Sequence, residues 1–247
     1  MIAIILAGGY ATRLGPLTVK GPKPLLEVAG RAILGHIIDR LGKCSEVNKV
    51  VIATNTTFEN QFKDWLSRNR YSNVIVRAEV SESDSNKPGA IRSLAGLARE
   101  FDSDSYLIIA GDNLFTSNLQ GFFQYFRDKQ CSVVAIYDIM EMDLAKELSV
   151  LELDAEGKII AFQEKPKQPT TTFIGTCIYL LPQRSLHRIY EYLKEGGNPD
   201  SPGYFVQWLA KKELVYGYIL EGKWWDIGTP ESYDQARSEF KSNASGI

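Results

Sequence analysis

The sequence predicts an α/β fold built on a mostly parallel sheet, and three observations predict it. Short runs rich in Ile, Val and Leu recur through the first 110 residues, several of them closed by glycine. Amphipathic segments at helical spacing lie between them, so the order alternates strand and helix. Beyond about residue 130 the texture changes to closely spaced strand patterns joined by turns, which predicts antiparallel or mixed strands added to that sheet.

Each element has a local reason. Residues 1–6 are apolar at every position and stop at Gly8-Gly9, which reads as a strand buried on both faces. Residues 32–42 carry apolar positions at helical spacing and end on Gly42. Residues 49–53 form the second strand pattern, and residues 57–68 a helix with Phe58, Phe62, Trp65 and Leu66 on one face. A short strand at 73–77 precedes a helix at 88–100 with proline in its first turn. Residues 106–110 repeat the buried-strand pattern and close at Gly111. Strands follow at 132–138, 149–153, 158–163 and 174–180, with a hairpin turn at Asp154-Ala155-Glu156-Gly157. Helical patterns return at 184–193 and 230–240. With no repeat, linker or low-complexity tract, residues 1–247 read as a single domain.

Composition excludes several classes. The chain has 247 residues, 44% hydrophobic and 23% charged, which is ordinary for a globular protein able to bury its own core. A net charge of −2 gives no general attraction to nucleic acid or to an anionic membrane. The apolar N-terminal run is too short to span a membrane and lacks the basic start of a signal peptide. Three cysteines at distant positions, without metal-ligand spacing, suit reduced thiols in the cytoplasm.

The charge is unevenly placed. Residues 1–26 hold three cations (Arg13, Lys20 and Lys23) and no acid, whereas the rest holds 25 cations against 30 acids. This cationic stretch contains Leu6-Ala7-Gly8-Gly9-Tyr10-Ala11-Thr12-Arg13-Leu14 and Gly21-Pro22-Lys23-Pro24. Glycines without Cβ atoms let backbone N–H groups face an anion, Arg13 offers a planar fork for phosphate oxygens, and Lys23 a mobile point charge. The segment contains neither the G-x-x-x-x-G-K-[ST] phosphate loop nor the G-x-G-x-x-G dinucleotide fingerprint. A plain turn after a buried strand is the competing reading of Gly8-Gly9.

Two further acids stand out. Gly111-Asp112-Asn113 follows a strand at its carboxyl end, where open α/β sheets bind ligands. Trp224-Trp225-Asp226-Ile227-Gly228-Thr229-Pro230 sets an acid between an aromatic pair and a glycine turn. Each alone is compatible with a capping or turn aspartate. Beside a phosphate site, the pair would supply the hard oxygens that Mg²⁺ prefers.

The N-terminal segment resembles the signature of the sugar-phosphate nucleotidyltransferases, roughly L-A-G-G-x-G-T-R-L-x-P-L-T-x(3)-P-K-P-L-L, with Ala11 where glycine is usual. Among them it is most similar to the glucose-1-phosphate thymidylyltransferases, through the Gly111-Asp112-Asn113 and Trp224-x-Asp226 motifs. The resemblance implies a Rossmann-like three-layer sandwich, with residues 1–130 as the nucleotide-binding half and 131–247 as the sugar-binding half. It implies that Leu6, Ala7, Gly8, Gly9, Ala11, Thr12, Gly89 and Asn113 bind nucleotide and that Asp112 and Asp226 hold Mg²⁺. It also implies catalytic roles for Arg13, Lys23, Asp112 and Asp226. The Glu164-Lys165-Pro166 motif and Gly175 are implied to bind the sugar phosphate. The partners would be an NTP and a sugar-1-phosphate, most simply glucose-1-phosphate with dTTP or UTP, without nucleic acid or membrane; a homo-oligomer stays open.

Two segments depart from the thymidylyl pattern. Residues 81–88 lack its glutamine-bearing segment, and residues 198–208 lack its acidic E-[IL]-T-D. Alternatives are therefore a GTP- or CTP-using enzyme on another phosphate acceptor, or a non-catalytic nucleotide sensor. His36 and His187 have no nucleophile partner and read as packing residues, and Cys177, in an apolar strand, reads as core.

Overall fold

The structure is a computed structural model, and it describes residues 1–10, 14–15, 21–80 and 89–240. Strand β1 (Ile2–Leu6) lies at the centre of the main sheet. Next come the small hairpin β2 (Glu27–Val28) and β3 (Arg31–Ala32), helix α1 (Ile33–Leu41), β4 (Lys49–Asn55), α2 (Glu59–Asn69), β5 (Val74–Glu79), α3 (Ala90–Glu100) and β6 (Ser105–Ala110). β1 pairs in parallel with β4 on one side and β6 on the other, and β4 pairs in parallel with β5. The parallel strands thus run β5-β4-β1-β6 in space, and their order reverses between β1 and β6. A reversal of this kind opens a crevice at the carboxyl ends of the two strands flanking it.

The second half supplies β7 (Asn113–Phe115), α4 (Gln120–Lys129), β8 (Ser132–Asp138), α5 (Met142–Ala145), β9 (Ser149–Leu153), β10 (Ile159–Glu164) and β11 (Phe173–Pro182). α6 (Gln183–His187), α7 (Ile189–Lys194), α8 (Pro202–Leu209), β12 (Val215–Ile219), β13 (Trp224–Asp226) and α9 (Pro230–Glu239) follow. β11 joins the halves. Its C-terminal part lies antiparallel to β6, while its N-terminal part pairs with β9, and β8 runs along its other side. The register slips between Gly175 and Tyr179, where Cys177 adopts a left-handed φ of 55°. This bulge turns Thr176 and Cys177 toward the crevice.

The three layers are visible in β1 itself. Ala3 and Ile5 pack with α1, Phe62 of α2, α4 and α9 on one face. Ile2 and Ile4 pack with α3, α6, α7 and α8 on the other. Both faces being covered is the physical reason that this strand carries no polar residue. The fold is therefore the expected α/β sandwich, a mostly parallel sheet with an antiparallel extension.

One local expectation changes, and one strand is new. The helix expected over 184–193 divides at Arg188, whose N–H bonds Ser185 O, three residues back, and so tightens the turn. Trp224-Trp225-Asp226 forms a strand, because β13 finds β7 as an antiparallel partner. That pairing joins segments more than 100 residues apart and has no local signature.

Candidate active site

The glycine loop leaves β1 under restraint from its parallel neighbour. Ala7 N–H donates to Ala53 O at 2.7 Å, and the Asn55 side-chain amide donates to Gly8 O at 2.9 Å. Asn55 Oδ1 also accepts from Phe58 N–H at 3.1 Å, so one side chain ties the loop to the start of α2. A Cβ on Gly9 would meet no described residue within 4 Å, and its φ is not left-handed, so among the described residues nothing requires glycine there. Its bareness instead leaves the crevice open. Ala11, Thr12 and Arg13 lie outside the described residues.

On one side of this loop is a pocket lined by Leu6, Gly8, Gly9, Thr54, Asn55, Glu79, Gly89, Ser93 and Asp200, among others. Gly89 is the N-cap of α3 with φ 88°, and a Cβ there would overlap Pro199 O, so only glycine fits. Of the residues implied to bind nucleotide, Leu6, Gly8, Gly9 and Gly89 are brought together here. The sequence reading missed Thr54, Asn55, Glu79, Ser93 and Asp200. Thr54, Asn55 and Glu79 lie at the carboxyl ends of β4 and β5, and the crevice rule applied to those strands would have found them. Burial holds the Glu79 carboxyl above its ordinary pKa, opposed by a hydrogen bond from Ser93.

On the other side is a second pocket. It gathers Asp112, Asn113, Ser149, Glu164, Lys165, Gly175, Thr176, Cys177, Ser201, Gly203, Trp224 and Asp226, among others. Asp112, Asp226, Glu164, Lys165 and Gly175 were all singled out in the sequence, and the fold collects them from four segments. Register explains the two aspartates: Asp226 pairs across β13 and β7 with Asn113, and Ile227 N–H donates to Asp112 O at 3.1 Å.

Lys23 reaches the same place from a single 3-10 turn at Lys23–Leu25, stiffened by Pro22 and Pro24. Gly111 permits the approach, because a Cβ there would stand 2.9 Å from Leu6 O and 3.0 Å from Pro24 Cγ. Lys23 Nζ lies 2.8 Å from Asp112 Oδ2, with the lysine side chain largely buried. Lys23 is thus paired with a carboxylate that lines the second pocket.

Asn113 has its side chain turned inward, 2% exposed. Its amide donates to Thr176 O at 2.6 Å, and its Oδ1 accepts from Trp224 Nε1–H at 2.9 Å. It clips β7, β11 and β13 together beneath the aspartates. Cys177, expected in the core, packs against it and, on the β11 bulge, also lines this pocket. Burial, then the charge of Asp112, pushes its thiol strongly up, which favours the protonated form.

The donor set fits Mg²⁺. Asp112 and Asp226 are hard oxygen ligands, and Mg²⁺ typically takes one or two carboxylates and completes its shell with phosphate oxygens and water. Among the described residues no group of three or more His, Cys, Asp or Glu forms a self-sufficient metal cage.

A sequence model of the nucleotidyl transferases matches residues 2–243, nearly the whole chain. The chain belongs to that family. Its members are enzymes of the transferase type, and the fold agrees with solved structures. One, described as a glucose-1-phosphate thymidylyltransferase from Bacillus anthracis in complex with a sucrose, superposes with a TM-score of 0.83 at 23% identity, covering 98% of this chain and 97% of that one. A UDP-glucose pyrophosphorylase complexed with UDP-glucose gives a TM-score of 0.80 at 20% identity, covering 96% of this chain and 97% of that one. Among the described residues of this nucleotidyl transferase, no helix is long and apolar enough to cross a membrane.

Proposed function

We propose that this nucleotidyl transferase joins an NTP to a sugar-1-phosphate, giving an NDP-sugar and pyrophosphate, with Mg²⁺ as cofactor. The observation that carries the reading is the contact of Lys23 with Asp112, which lines the second of the two pockets. One pocket is bounded by the glycine loop and α3, the other by Glu164, Lys165 and Asp226. Two substrates seated there would meet at their phosphates.

In the reaction, an oxygen of the sugar phosphate attacks the α-phosphorus of the NTP in line. The new P–O bond forms as the bond to pyrophosphate breaks. The protein's part is positioning and charge neutralisation, with no covalent intermediate on the enzyme. Lys23 steadies phosphate oxygens, and Lys165 holds the incoming sugar phosphate. Arg13 balances charge on the leaving pyrophosphate. Asp112 and Asp226 would hold Mg²⁺, which when bound neutralises phosphate charge between nucleophile and α-phosphate. Glu164 accepts hydrogen bonds from sugar hydroxyls. The proposal assigns residues 1–130 to the nucleotide and 131–247 to the sugar, and places the enzyme in the cytoplasm, where its thiols stay reduced.

Glucose-1-phosphate with dTTP or UTP is the first pair to test, in keeping with the two relatives. Glu79 and Asp200 in the nucleoside pocket favour a base that presents N–H donors, so GTP and CTP belong in the same panel. The test is Mg²⁺-dependent release of pyrophosphate across four NTPs and a set of sugar-1-phosphates. Turnover with at least one pair is expected. Binding without turnover across the whole panel would refute the transfer reaction and favour a sensor.

A further inference from the structure

The proposed chemistry gives residues 198–208 no task. The structure places their first part between the two pockets. Pro199 O accepts from Ile91 N–H of α3 at 2.9 Å, and Asp200 lines the nucleoside pocket. Asn198 is tied to α7 by Tyr192 Oη–H, which donates to Asn198 O at 2.9 Å, and its Oδ1 accepts from Asp200 N–H at 2.8 Å. The next residue, Ser201, donates from Oγ to Glu164 Oε1 at 2.8 Å.

The other oxygen of Glu164 is also held. Ser149 Oγ, at the start of β9, donates to Glu164 Oε2, and Ser149 is buried. The backbone of Glu164 is fixed as well, its N–H donating to Gln207 Oε1 at 3.1 Å. Gly203 completes the arrangement, because a Cβ there would overlap Glu164 Oε2 and stand 2.7 Å from Ser149 Oγ. An unrestrained glutamate loses rotamer freedom when ordered. Here both carboxylate oxygens are ordered before any ligand arrives. The lone pairs not used by these donors remain as acceptors.

We propose that Ser149 and Ser201 are positioning residues that hold Glu164 as a fixed acceptor for the hydroxyls of a sugar ring, with Gly203 making room for the clamp. The inference rests on the transfer reading above and deepens its sugar side. The ligand class it selects is a phosphorylated polyol, since a preset carboxylate rewards O–H donors and penalises groups that cannot donate. Because Ser201 lies on the segment anchored to α3, the clamp is fastened to the wall of the nucleoside pocket.

The test uses the full chain with Ser149→Ala, Ser201→Ala, the double variant, Gly203→Ala and Ser201→Thr. Steady-state kinetics with the best pair from the panel are read beside calorimetric binding of α-glucose-1-phosphate and thermal melting. We expect KM for the sugar phosphate to rise about ten-fold in each serine-to-alanine variant and further in the double and Gly203→Ala variants. The rise should exceed any change in kcat or in KM for the NTP, and Ser201→Thr, which keeps the hydroxyl, should restore it. A merely structural role would lower melting temperature without that selective shift. Unchanged sugar-phosphate KM in a folded double variant would overturn the clamp and leave the transfer reaction standing. Absence of turnover in the wild type, with sugar-phosphate binding still weakened by the substitutions, would overturn the transfer reaction and leave the clamp. No binding of α-glucose-1-phosphate and no turnover by the wild type would overturn both.

Discussion

Replacing Asn113 with alanine tests how the two aspartates are held together. The side chain is 2% exposed and makes hydrogen bonds with Thr176 O at 2.6 Å and Trp224 Nε1 at 2.9 Å. Alanine leaves a buried carbonyl and a buried indole N–H without these partners, each costing about 1–3 kcal/mol. Together they amount to about 2–6 kcal/mol. In a chain of this size about 1 kcal/mol moves Tm by roughly 2–4 °C, so a fall of the order of 10 °C is expected. Differential scanning calorimetry and urea unfolding, compared with wild type, measure it. Asn113→Asp keeps the acceptor for Trp224 and loses the donor to Thr176 O, so it should lose stability through that half of the clip while keeping the indole bond. Since Asn113 is the cross-strand partner of Asp226, turnover of the alanine variant should fall with its stability even below its Tm. A loss under about 0.5 kcal/mol would refute the claim that this clip carries the site.

Three further outcomes follow from the same geometry. Lys23→Ala removes the cation paired with Asp112, and kcat should fall about 100-fold, as does loss of one charge-stabilising donor elsewhere; Arg13→Ala should behave alike, and near-wild-type turnover in either would remove its role. His36 is buried with Nε2 bonded to Val28 O, and desolvation first, then Arg40 and Arg31, hold its pKa below the ordinary 6.5. The unfolded chain therefore takes up this proton first: stability is full above about pH 6.5 and declines as pH falls toward the lower folded value, by at most about 1.4 kcal/mol per pH unit. His36→Gln should flatten that slope in urea titrations between pH 6.5 and 5.5, and an unchanged slope would contradict the assignment. Thr229 caps α9 in a reciprocal box with Ser232, so Thr229→Ala should cost about 1 kcal/mol, read as a drop in Tm; an unchanged Tm would show that the cap contributes nothing.

Much of the site was legible because its parts are local. The glycine loop, Lys23 between prolines, the Asp112 motif after a buried strand and the Glu164-Lys165 pair can each be read from a few neighbouring residues. Thr54, Asn55, Glu79, Ser93 and Asp200 were not read, since as single polar residues in ordinary segments they gain meaning only from the pocket they share. Ser149 and Ser201 were silent for the same reason, being 15 and 37 residues from the carboxylate that they hold. That Cys177 also reaches the pocket was not read, because a bulge, which breaks the two-residue alternation of a strand, leaves no sure trace in an apolar run.

By itself the sequence determined the alternation of buried strands and amphipathic helices, and the chemical kinds of group available: bare glycines, a mobile lysine, hard carboxylates. Such features depend on hydrophobic period and side-chain chemistry, which act over a few residues. Only the tertiary structure decided that β11 runs antiparallel to β6, that β13 finds β7, and that Asp226 therefore stands across from Asn113 beside Asp112. These pairings depend on which surfaces can be covered once the chain has closed on itself, and segments more than 100 residues apart carry no local record of that choice.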